Sequence, residues 1–126
     1  MIKKTRFGIP FESIYNVVHP EEILSLLESN KDYFSIEVKE STMEPKFSKG
    51  DLAIVKKQDY IKPGEIGAVY IKGKGIKIRK IIKENNRIML FSSNENSGSP
   101  EVYNLNDSKD IQVLILGRVV ELRTKF

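Results

Sequence analysis

Thr42 is the residue whose surroundings first suggest a reaction. It lies in VKESTMEP (38–45), where a hydroxyl stands between a strand-like run and a Met-x-Pro turn, a suitable seat for a nucleophile. A nucleophilic hydroxyl needs a neighbouring base to take its proton. The densest supply of titratable nitrogen is downstream, where Lys72, Lys74, Lys77, Arg79, Lys80 and Lys83 crowd YIKGKGIKIRKIIK (70–83), a hairpin pattern with Gly73 and Gly75 at its turn. Side chains alternate along a strand, so Lys77 and Arg79 share one face while Ile76, Ile78 and Lys80 share the other. Basic runs are usually solvated faces, and two functional readings stand beside that one: a surface for an anionic partner, and a site role for Lys77 or Arg79. His19, the single histidine, reads as a helix-start residue, because no Asp or Ser motif accompanies it in a triad pattern.

Composition narrows the chemistry further. The chain has no cysteine, which excludes thiolate nucleophiles and leaves no Cys/His cluster for zinc or iron, so neither a metal nor a cofactor is expected. The net charge of +4 is modest and acidic residues are mixed with the basic ones, so charge alone does not announce a nucleic-acid binder.

The elements that must position these residues are mostly strands. Apolar or alternating runs at 34–38, 52–56, 66–71, 75–82, 87–92 and 111–122 are separated by Gly, Pro, Asn and Asp clusters. HPEEILSLLES (19–29) is the one helical pattern, with Pro20 at the first helical position, Glu21 and Glu22 near the positive end of the dipole, and Ile23, Leu24 and Leu27 on one face. The polar stretch 93–110 reads as a long excursion with one short edge strand. A chain of 126 residues with 40% apolar content is the size of one domain. The expected fold is therefore mainly β, small curled sheets or a partial barrel with one short N-terminal helix. Residues 1–33 form a leader and 34–126 the β core. No run approaches the roughly 20 apolar residues of a membrane span and no signal peptide opens the chain, so the expected location is cytoplasmic. A helix-turn-helix needs two or three helical patterns in succession, so DNA would be reached only through a domain absent from this chain.

Taken in order, Val38, Thr42-Met43 with Pro45, Gly50-Asp51, Gly64, the strand IRKI, LFSSN (90–94) and LGRVV (116–120) resemble the C-terminal domain of LexA-like self-cleaving repressors and the related UmuD proteins. The resemblance runs from about Gly8 to Val120. It implies a serine before the Met as nucleophile, a lysine on the later hairpin strand as base, and the protein's own chain as substrate, cut before a Gly-x-Pro. RFGIPF (6–11) offers such a substrate between Phe7 and Gly8, at a separation from Thr42 similar to the family's. Glycine after the scissile bond lets the backbone turn sharply, and Pro10 stiffens the segment beyond it. As an ordinary N-terminal turn the same residues need no reaction.

The catalytic positions depart from that pattern. The lysine position aligns with Arg79, and arginine is not deprotonated in proteins, so it donates hydrogen bonds without serving as a base. Thr42 replaces the serine, and its extra methyl stiffens χ1 and crowds the line of attack. Phe7 replaces the small residue expected before the cut. Two ways round these departures remain open: Lys77, two residues from Arg79 on the same face, as base after a register shift, and Ser41 as nucleophile through a local bulge. Met43 is expected as a core or cleft-wall residue, Gly50-Asp51 as a turn, and Asn94 and Gly117 as residues that fix loop and strand geometry.

The resemblance also implies pairing of two copies, for which the long apolar strand 111–122 near the chain end is the candidate interface, as an unpaired edge that invites association. The leading expectation is a dimerisation and regulatory domain of a LexA-like or phage-type repressor, with its own leader as cleft ligand and with self-cleavage lost or impaired. The alternatives are an active autopeptidase cutting between Phe7 and Gly8 with Thr42 and Lys77, a UmuD-like polymerase accessory protein, and a small nucleic-acid-binding β-barrel. The last lacks aromatic pairs on the basic hairpin.

Overall fold

Alternation in the apolar runs becomes strands close to where the sequence places them. A computed structural model describes residues 4–40, 43, 46–93, 98–105 and 113–123. Its strands are β1 (Ile14–Tyr15), β2 (Tyr33–Glu37), β3 (Leu52–Lys57), β4 (Ile66–Ile71), β5 (Gly75–Glu84), β6 (Arg87–Phe91), β7 (Glu101–Asn104) and β8 (Val113–Arg123). They form one open mixed sheet in the order β1-β2-β3-β8-β4-β5-β6-β7. Only the β1–β2 pair is parallel. The architecture is the mainly β, LexA C-terminal type that the sequence leads one to expect.

The helical pattern begins as a 3-10 turn, Pro20–Glu22, and continues as α1 (Ile23–Glu28). His19 starts it as expected: the Glu22 carboxylate accepts the His19 backbone N–H at 3.1 Å, satisfying an amide that the helix leaves free. The buried stripe differs from the sequence reading. Ile23 and Leu26 are buried, whereas Leu24 and Leu27 face solvent at 68% and 44% exposure. Residues three apart lie on one side of so short a helix, and that side rests on the sheet. The other end is capped by Lys57 from β3, whose ammonium donates to the carbonyls of Leu26 at 3.1 Å and Ser29 at 3.0 Å.

One core cluster fills the space between α1 and the sheet, with Leu26, Phe34, Ile36, Val55, Ala68, Ile78 and Leu116 among its buried members. A second lies on the opposite face, from Val69, Ile71, Ile81, Ile88 and Leu90. Successive residues Ala68 and Val69 thus serve different cores, as a strand's alternation requires.

The place of β8 corrects the sequence reading. Expected as an exposed edge for pairing two copies, it lies inside the sheet, hydrogen-bonded to β3 on one side and β4 on the other. Its pairing skips a residue twice, opposite Ile54/Val55 and opposite Ala68/Val69, so β8 carries a bulge towards each neighbour. Gly117 makes the crossing possible: a Cβ there would stand 2.0 Å from the carbonyl oxygen of Lys56. The sheet edges are instead the two-residue β1 and the four-residue β7.

Candidate functional site

Two strand registers and one loop build the site. In β5, Lys77 stands opposite Val69 and Arg79 opposite Gly67, so both basic side chains rise from the same face without any register shift. Gly67 itself lies against the carbonyl oxygen of Gly117 and the side chain of Ile81, with no space for a Cβ. Next to these residues comes the segment that leaves β2. Glu40 carries one oxygen to 2.6 Å from the Lys77 ammonium and the other to 3.2 Å from the Arg79 guanidinium. From the far side, β7 brings Glu101 to 3.5 Å from the same guanidinium nitrogen.

Arg79 is only 4% exposed. Its Nη1 donates to the Ile78 carbonyl at 2.8 Å, while its Nε is buried without a hydrogen-bond partner among the described residues. The network continues outwards. The Tyr103 hydroxyl donates to Glu101 at 2.7 Å, and the Lys74 ammonium, 5.5 Å from the centre of the Tyr103 ring, donates to that hydroxyl at 3.1 Å. An unbroken polar chain therefore runs from the β4–β5 turn through β7 to Arg79 and on to Lys77.

The titration of these groups follows from their neighbours. Burial pushes the Glu40 carboxyl up, but the Lys77 hydrogen bond and the Arg79 and Lys77 charges outweigh it and hold the group below the usual carboxylate range. Burial and the hydrogen bond to Glu101 raise the Tyr103 phenol. The Tyr103 hydroxyl in turn raises the Lys74 ammonium.

Beside the ion pairs runs a groove of about 300 Å³. Ile36, Val38, Met43, Ile76 and Ile78 supply its apolar lining, and Val17, Val18, His19 and Pro20 another wall. Met43, 1% exposed, is both core and cleft wall, as its flexible thioether suits. Val17 adopts φ +39°, a costly conformation for a β-branched residue. Ser35 holds it there: its hydroxyl accepts the Val17 N–H and its carbonyl accepts the Val18 N–H, both at 2.8 Å. Local strain of this kind costs about 1–3 kcal/mol and persists where surrounding contacts over-determine it.

The candidate residues named from sequence fall into three groups. Lys77 and Arg79 come together, bridged by Glu40. Ser41, Thr42, Pro45 and Asn94 lie outside the described residues, although Glu40 and Met43 on either side of the hydroxyl pair both line the groove. Phe7 and Gly8 are placed elsewhere. They form the tip of a turn closed by Thr5 and Ile9, with the Phe7 N–H 3.4 Å from the Glu121 carboxylate on β8. Ile9, at the base of that turn, packs with Ile14 and Ile54 in a third, smaller cluster. Sequence reasoning missed Glu40, Glu101 and Tyr103. Glu40 could have been suspected from its place directly before Ser41-Thr42, whereas Glu101 and Tyr103 show only the alternation of a short strand. Gly50-Asp51 is the expected turn, with the Asp51 carboxylate accepting the Ser48 N–H at 3.0 Å. Among the described residues, no group of three His, Asp or Glu side chains is arranged to hold a metal, and no helix is long and apolar enough to cross a membrane.

An open sheet with its longest strand inside, a short helix over one face and a cleft beside β5 define a domain of LexA C-terminal type. The chain matches the family model described as Peptidase S24-like over residues 1–120, and it belongs to that family. It is 31% identical over 90 residues to the LexA repressor of Pelagibacter ubique, covering 71% of this chain and 40% of that protein. With the LexA repressor of Clostridium novyi it shares 31% over 98 residues, 76% of this chain and 48% of that protein. With that of Thermotoga neapolitana it shares 29% over 103 residues, 81% of this chain and 46% of that protein. The chain thus spans less than half the length of the curated relatives it matches.

Proposed function

We propose that this chain is the dimerisation and regulatory domain of a LexA-like or phage-type transcriptional repressor in which serine-lysine self-cleavage is lost or severely slowed. The observation that carries this reading is the state of position 79. A residue in the role of base must be able to stand neutral and take the hydroxyl proton. Arg79 is a permanent cation, and its guanidinium is committed to Glu40, Glu101 and the Ile78 carbonyl. Lys77, the other candidate, donates to Glu40 at 2.6 Å. With Thr42 as the hydroxyl and Phe7 before the cut, three separate roles depart from the reaction together.

Pairing of two copies is the function that needs no nucleophile. The LexA relatives are named as repressors, and a repressor domain that pairs lets two tethered DNA-binding domains engage two half-sites. The leader remains a candidate cleft ligand, and DNA would be reached through a domain outside this chain. Sedimentation equilibrium tests the pairing: a dimer is expected at micromolar concentration, and a monomer throughout overturns that part.

The test of the lost reaction is intact mass after a day at pH 7 and at about pH 10, where roughly a quarter of a lysine of ordinary pKa is neutral. The parent is compared with a Thr42→Ser, Arg79→Lys double variant. The parent is expected to stay whole at both pH values. Splitting of the parent between Phe7 and Gly8 would instead favour the second reading, an active autopeptidase with Thr42 and Lys77, for which the shared face of Lys77 and Arg79 is the supporting observation.

A further inference from the structure

The carboxylates around position 79 are anchored independently of the residue they surround. Glu40 is tied to Lys77 at 2.6 Å, and Glu101 accepts the Tyr103 hydroxyl at 2.7 Å. Both therefore have a reason to stay when the side chain at 79 changes. Other charged groups face the site more distantly. Lys74 reaches it only through Tyr103, and on the β4–β8 side Arg118, in line with Arg79 across Gly67, pairs with Glu65 at 3.8 Å. Nearest to the Arg79 guanidinium, among the described residues, are thus two carboxylates and a single ammonium, Lys77, already shared with one of them.

We infer that Glu40 and Glu101 are a second lock on self-cleavage, separate from the arginine itself, which holds any cation at position 79 in its charged form. This rests on the reading of position 79 as the place of the base. Burial alone favours a neutral amine, whereas an opposite charge within about 4–6 Å favours the ammonium by roughly 1–3 pK units. With two such charges in place, a lysine returned to position 79 keeps its proton and has no lone pair to offer a hydroxyl. The silence of the site is then a property of three residues on three different segments, and reverting one of them does not lift it.

The test reads the proton directly. Arg79→Lys and the triple variant Arg79→Lys, Glu40→Gln, Glu101→Gln are prepared with isotope-labelled lysine, and the introduced amine is titrated by heteronuclear NMR. In the single variant the amine is expected to titrate no lower than an exposed lysine, and in the triple variant at least about one pH unit lower. Equal titration in the two overturns the inference, as does an already depressed amine in the single variant. Should circular dichroism show Arg79→Lys unfolded while the parent is folded, the carboxylates require the guanidinium fork and not merely a charge, and the inference also falls. Adding Thr42→Ser to both separates this from the reading beneath it. A depressed amine with no split between Phe7 and Gly8 leaves the lock standing and removes position 79 from the role of base.

Discussion

Arg79 and Glu121 are both almost fully buried charges, at 4% and 5% exposure, yet they hold their surroundings in different ways. Arg79 is fixed by partners from β7 and from the segment after β2, 22 and 39 positions away in the chain, which lock three parts of the molecule together. Glu121 meets the leader through one long hydrogen bond to the Phe7 N–H. Apart from the Ile9 side chain, which packs with Ile14 and Ile54, the turn is held by its own hydrogen bonds: Thr5 and Ile9 exchange theirs, and Phe7 is 70% exposed at its tip. The difference separates two requirements of self-cleavage, a substrate that can leave its resting place and a base that can shed a proton. On the proposed reading, the first meets few hydrogen bonds in this molecule, and the second meets the obstacle.

The comparison is broken most forcefully at Arg79. Arg79→Met leaves Glu101 without its cation and Glu40 with Lys77 alone. Removing one partner of a buried pair costs about 3–5 kcal/mol, and partial solvation of both glutamates brings the expected loss to roughly 2–4 kcal/mol. Urea denaturation measures it, and a loss under about 1 kcal/mol would mean that the cluster is not the anchor described. A smaller effect is expected in the leader. Thr5→Val removes the hydroxyl that accepts the Ile9 N–H at 3.1 Å, with an expected cost of about 1 kcal/mol. Faster amide exchange at Ile9 and Gly8, with the groove residues unchanged, would confirm that the turn opens by itself. Slowed exchange, or exchange rising equally around Arg79, would couple the two regions after all.

The smallest effect is a pH dependence. The Glu40 carboxyl is held below its ordinary value of 4.5, so its ion pairs stabilise the fold above that pH, and the stabilisation disappears as pH falls through the lowered folded value. Glu40 is about one-third exposed, so the slope is modest. Denaturation midpoints measured from pH 7 down to about pH 3 should fall less steeply in Glu40→Gln than in the parent. Identical slopes would show that this carboxylate is already screened by solvent.

Much of the fold was legible because the signals were local. Alternation placed β2, β3, β4, β5 and β6 within two residues at either end, and Pro20 with Glu22 marked the helix start. What sequence could not supply was adjacency. The run that became β8 is apolar on successive positions, the pattern of a strand covered on both faces, but its neighbours β3 and β4 are set by pairings across more than 40 residues. Leu24 and Leu27 read as core because their spacing fits a helix, yet on a helix this short only the Ile23–Leu26 side meets the sheet. At the site, Lys77 and Arg79 could be paired from strand periodicity alone. Glu40 and Glu101 could not, since their place depends on how a loop and a short edge strand approach β5 from opposite sides.

The interior position of β8 also has a consequence in time. Until that strand is made, β1-β2-β3 and β4-β5-β6-β7 are two separate ribbons, each joined by pairings between sequence neighbours and each ending in an open row of amides and carbonyls. β8 is synthesised after both and closes the gap between them by pairing on its two sides at once. Such non-local closure is slow relative to hairpin formation, and unpaired strand edges are prone to association while they wait. During synthesis the exposed flanks of β3 and β4 are therefore the places where a chaperone would have most to shield, and where a nascent chain stalled before Val113 would be most prone to aggregate.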